Sequence, residues 1–113
     1  MAAEHVLVLI SVDPVISHRA NEAIRIALGI IAGENDVTIA LLGPAVKIFD
    51  PDVEDYVDGE DIVKHLTTLR KLGQPFYVER DAMPAGRDDL TLIPFTTDDL
   101  PALIAKSDRA LVF

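Results

Sequence analysis

The chain contains no cysteine. That absence removes disulfides, thiolate metal sites and cysteine nucleophiles from the chemistry open to it. Basic side chains are scarce as well: ten Lys and Arg stand against nineteen Asp and Glu, a formal charge of −9. Such a surface repels a nucleic-acid backbone or an anionic membrane. No apolar run approaches the roughly 20 residues that span a bilayer. The first apolar stretch, Val6–Ile10, follows Glu4 rather than a basic segment, so no secretory signal is visible and a cytoplasmic protein is expected. Repeats, low-complexity tracts and linkers are missing too. What remains is one domain over residues 1–113, half of them hydrophobic and 26% charged, too apolar for disorder.

Hydrophobic patterning predicts alternating strands and helices. His5–Ser11 is an unbroken apolar run, suited to a strand buried on both faces. Ser17 stands where a helix N-cap belongs, and Ala20, Ile24, Ala27, Leu28 and Ile31 then recur at helical spacing up to Gly33. Ile26 and Ile30 add a second apolar stripe. Asp36–Gly43 is a second buried strand, followed by a short helix over Ala45–Phe49. Asp50–Asp61 carries seven acidic residues and no basic one, which predicts an exposed loop. Ile62, Val63, Leu66 and Leu69 mark another amphipathic helix, closed by Lys71 and Gly73. Phe76–Glu79 is a third strand, and Leu90–Phe95 a fourth whose Pro94 makes it short or an edge. Asp98 is placed to cap a last helix with Pro101 in its first turn, ahead of a final strand, Arg109–Phe113. This rhythm predicts a three-layer α/β/α domain around a mainly parallel five-stranded sheet of flavodoxin-like or DsrE-like type.

Three stretches carry a resemblance to the DsrE/DsrF-like sulfur-relay family, which includes the TusD-type proteins. They are the alanine-rich helix Arg19–Leu28, the strand and glycine turn Asp36–Gly43, and the ending Ala105–Phe113, a short strand closed by phenylalanine. The resemblance implies a DsrE-like fold and assembly into trimers or hexamers. It also implies a cysteine just after the third strand, where sulfur carriers of the family hold theirs. Here the matching stretch is Glu79–Pro84, and Asp81 lies nearest the vacated position. A carboxylate cannot carry a persulfide, so persulfide transfer by this chain alone is excluded.

In an open parallel sheet, ligands bind beyond the carboxyl ends of the strands. Asp13, His18, Arg19, Arg80 and Asp81 fall there and are the candidate ligand-binding residues, a mixed-charge set able to hold a small polar ligand or move a proton. The plainer reading makes His18 and Arg19 surface residues and pairs Arg80 with an acidic neighbour. A calcium loop over Asp50–Asp61 fails on register, because Asp55 and Asp61 occupy the positions where an EF-hand needs glycine and glutamate. His5 and His65 are isolated in sequence and lack zinc-ligand company. A nucleotide loop would need glycine after the first strand, where Ser11–Ser17 has none. A receiver domain would need a lysine ending the fifth strand and a helix beyond it. No metal, cofactor or catalytic residue is therefore expected.

The expected function is that of a non-catalytic, homo-oligomeric DsrE-like protein, a binding or regulatory relative of the sulfur-relay proteins. Ile26 and Ile30 are the candidate subunit contacts, since the sheet accounts for only one stripe of their helix. The alternative is a small-ligand-binding protein or enzyme using the strand-end pocket.

Overall fold

The apolar run His5–Ile10 forms strand β1, and every other element is arranged around it. A computed structural model describes residues 3–113. The order is β1, helix α1 (Arg19–Ala32), β2 (Asp36–Leu41), a 3-10 turn (Gly43–Phe49), a second 3-10 turn (Val53–Asp55), α2 (Gly59–Lys71) and β3 (Phe76–Glu79). A 3-10 turn (Arg80–Ala82), β4 (Leu92–Phe95), another 3-10 turn (Thr97–Asp99), α3 (Leu100–Ala105) and β5 (Arg109–Val112) complete the chain. All pairings are parallel, and the strands lie in the order β4-β3-β2-β1-β5. Pro94 sits on β4, an edge strand, where its missing donor costs nothing.

Strand order decides which helix covers which face. The chain steps one way from β1 to β4, then returns across the sheet to β5. Right-handed crossovers therefore put α1 and α2 on one face and α3 on the other. Against α1 and α2 lie Val6, Val8, Ile10, Val37, Ile39, Leu41, Phe76 and Val78, all buried. The opposite face has a much smaller buried set, Leu7, Ala40 and Phe95, with Leu100 and Leu103 of α3 packed partly over it. The helical layers are unequal.

Local chemistry departs from the sequence-based expectations at three points. The N-cap of α1 is His18 rather than Ser17, whose hydroxyl accepts the Arg19 N–H at 3.1 Å, while Gly33 is the C-cap as expected, at an ordinary φ of −82°. The left-handed residue ending α1 is Glu34, at φ 65°. Its N–H donates to the Ile31 carbonyl and the Asn35 N–H to that of Ile30, the paired bonds of a Schellman ending. Asp98 does not cap the last helical segment: Thr96 and Asp99 do, as a reciprocal capping box. The acidic stretch is not merely a solvated loop. Val53 is buried within it, and the Tyr56 hydroxyl donates to Asp50 at 2.7 Å and to Asp52 at 3.1 Å. Its hydrogen bond to the Asp50 carboxylate, above all, pushes the Tyr56 phenol well above its ordinary pKa. Gly59, which opens α2, lies so close to the Val53 carbonyl and the Glu54 backbone that no Cβ fits.

The β3–β4 loop is fastened by Arg87. Its Nε and Nη2 donate to the two Asp89 oxygens at 3.0 and 3.2 Å, and Nη1 donates to the Phe49 carbonyl at 2.8 Å. The guanidinium also lies 5.8 Å from the Phe49 ring centre. Hydrogen bonding from Arg87 holds the Asp89 carboxyl below the usual carboxylate range.

Three outcomes follow from this packing. Gly59→Ala should destabilise the fold by at least about 2 kcal/mol in urea unfolding, because backbone must move to admit the methyl group. Glu34→Gly should stabilise it by about 0.5–1 kcal/mol, since glycine relieves the left-handed strain and removes a negative charge from a helix C-terminus. Asp89 contributes stability that is present above its unfolded pKa of about 3.9 and lost as pH falls through its lowered folded value. Thermal melts at neutral pH should therefore place Asp89→Asn below the native chain, with the gap closing as the buffer is taken below about pH 4.

Candidate functional site

The carboxyl ends of β1, β2 and β3 are bound together by polar contacts. Beyond β1, the Ser11 N–H and hydroxyl both donate to the Phe113 carbonyl, at 2.8 and 3.2 Å. The next turn is organised by Asp13, whose Oδ1 accepts the Val15 N–H at 2.9 Å and whose backbone carbonyl accepts the Ser17 N–H. Its Oδ2 meets the Lys47 ammonium at 3.3 Å, which ties this loop to the turn after β2. Gly43 starts that turn at φ 52°, and its N–H donates to the Glu79 carboxylate at the end of β3. Lys47 and Glu79 were not among the sequence candidates. Their role depends on which loops become neighbours.

The five candidate residues occupy distinct settings along this edge. Asp13 is engaged with Lys47 and its own loop. Arg19 projects over the Phe113 ring, 5.7 Å from its centre. Arg80 and Asp81 sit together, exposed, on the 3-10 turn that follows β3. His18 alone of the five lines one of the principal cavities, a groove of about 350 Å³ where the N-terminal ends of α1 and α2 meet.

That groove holds a residue the sequence reading left isolated. His65 Nδ1 lies 3.0 Å from Asn21 Oδ1. An amide oxygen only accepts, so Nδ1 is the donor in this contact. Asn21 is 9% exposed, the one buried polar residue among the described residues. Glu22, Arg25, Asp58 and Asp61 complete the groove with His18. The signal in the sequence was Asn21 itself, a polar residue one position from Ala20 on a stripe that otherwise buries Ala23, Ile24 and Ala27. A buried amide needs a partner, and α2 supplies it.

Chemically, the edge and the groove offer hydrogen-bond donors, carboxylates and imidazoles. Among the described residues, no group of three or more His, Cys, Asp or Glu side chains is placed to hold a metal ion. Nor is any helix among them long and apolar enough to cross a membrane. Asp81, which the resemblance sets nearest the family's cysteine position, lies with Arg80 in an exposed turn.

No family model matches the chain, and no curated protein matches it in sequence. Its fold is nevertheless that of a known structure. The crystal structure of the ychN protein from E. coli superposes with a TM-score of 0.75, covering 97% of this chain and 99% of that one at 17% sequence identity. The chain thus has the three-layer α/β fold of that protein, with the all-parallel five-stranded sheet of the DsrE-like architecture and no cysteine.

Proposed function

We propose that this chain is a non-catalytic, homo-oligomeric DsrE-like protein, a binding or regulatory relative of the sulfur-relay proteins. The observation that carries the reading is the composition of α3. Leu-Pro-Ala-Leu-Ile-Ala has no charged residue, yet none of its residues is buried. Ile104 is 49% exposed, and Val112 on the neighbouring edge strand is 63% exposed. A helix apolar on all sides is a buried element, and here the chain itself covers only the side bearing Leu100 and Leu103.

A second copy of the chain is the occupant that fits. With nineteen acidic side chains, like copies repel wherever those charges gather. The heaviest gathering is Asp50–Asp61, which belongs to the α1 and α2 side. The α3 side is where two copies meet with the least electrostatic cost. Ile26 and Ile30 are weaker candidates than the sequence indicated: both are partly buried, and Ile30 packs against the main core.

Catalysis by sulfur transfer has no thiol to run on, so binding is the activity left to an assembled ring. The carboxyl edge, with Arg80 and Asp81 unburied, is where such a ring would present polar groups to a partner or small ligand. Light scattering at micromolar concentrations should give a multiple of the 12.3 kDa chain mass, a trimer or hexamer. Ile104→Glu and Val112→Glu should each reduce it to the monomer by placing an unpaired charge in the contact. A native chain that stays monomeric as concentration rises overturns the proposal, and dissociation by Ile26→Glu alone overturns the α3 placement.

A further inference from the structure

Among the described residues, the β3–β4 connection is the only crossover in the sheet without an α-helix. α2 is therefore the last helix of its layer, and beside it lie residues of the 3-10 turns and of the Arg87–Leu90 loop. A cavity of about 260 Å³ opens there. Ile48, Val53, Val63, Leu66 and Leu90 give it an apolar floor. Its rim carries both signs of charge, Arg70 and Arg87 against Asp50, Glu54 and Asp89.

These rim groups differ in what they have left to offer. Arg87 is committed to Asp89 and to the Phe49 carbonyl. Arg70 approaches Asp89 only to 3.7 Å, beyond hydrogen-bonding distance, and is nearly half exposed. Its planar fork is open to a carboxylate. Asp50 accepts from Tyr56 through Oδ2, which leaves Oδ1 for a second donor, and Glu54 is exposed beside it.

We propose that this cavity binds a zwitterionic aliphatic amino acid. The branched side chain rests on the floor, the carboxylate pairs with Arg70, and the ammonium lies against Asp50 and Glu54. An anion alone would face those two carboxylates unaided, and a cation alone would face Arg70. A fully polar ligand would leave the floor unfilled. The volume falls just under the range of pockets for drug-sized molecules, which limits the ligand to about ten non-hydrogen atoms. The site lies apart from α3 and does not depend on the assembly proposed above.

Titration of the 15N-labelled full chain with L-leucine, followed by amide shifts, tests this. Saturable shifts are expected at the cavity residues, with a Kd below about 1 mM. 4-Methylpentanoate, which lacks the amine, and isoamylamine, which lacks the carboxylate, should each bind at least about tenfold more weakly. Arg70→Gln should weaken leucine by a similar factor while preserving the spectrum of the free protein. Val63→Phe should abolish binding by filling the floor. The proposal is overturned by an absence of saturable shifts at millimolar leucine, by equal affinity for either single-charge analogue, or by binding undiminished in both variants.

Discussion

Sealing β1 on both faces is the constraint to which the rest of the structure answers. Leu7 and Val8 are adjacent, point to opposite sides of the sheet and are both fully buried. A parallel strand of this kind must have neighbours on both edges and a layer on each face. β2 and β5 supply the edges, α1 one face and α3 the other. The return to β5 is what brings any helix to the second face. Because that helix is only six residues long, the second face is closed over Leu7 and left open toward Val112.

The same asymmetry separates the chemistry of the two sides. The helix-rich side carries the acidic stretch, the imidazole groove and the cavity beside α2. On the other side, α3 itself carries no ionisable side chain, with Asp98 and Asp99 before it and Lys106 and Asp108 after it. Between them, the carboxyl edge is tied across loops by Asp13 with Lys47 and by Gly43 with Glu79. The fold is shared with a protein only 17% identical, so general packing rules maintain it while edge chemistry is free to change.

Much of this architecture was legible in the residues. Strands β1, β2, β3 and β5 begin where the apolar runs begin, and Pro94 correctly demoted β4 to an edge, because these features depend on local pattern. Less legible were effects that require partners distant in sequence. His65 meets Asn21 across 44 positions, and Gly43 meets Glu79 across 36. Capping by Thr96 rather than Asp98 was missed because both residue types suit the role, and only backbone geometry chooses between them. The second stripe of α1 could not be divided between core and surface for a related reason. Periodicity shows that Ile30 is apolar, but not that the core reaches it. Of the site, His18 was placed in a cavity. Asp13, Arg19, Arg80 and Asp81 lie in or beside loops whose conformation, invisible in the residue pattern, decides their settings.

The pairing of β5 with β1 has a bearing on how the molecule comes together. Asp108 accepts the His5 N–H through its carboxylate across 103 positions, and the Ser11 N–H waits for the carbonyl of Phe113. The first strand in the chain is therefore completed by a segment that follows it by about a hundred positions. Until Arg109–Val112 arrives, one edge of β1 exposes its backbone donors and acceptors, and Leu7 lacks the helix that shields it. Contacts of such long sequence separation are slow to form, because a large loop must be closed before they give anything in return. The nascent chain thus passes through a stage in which its most buried strand is also its most adhesive one.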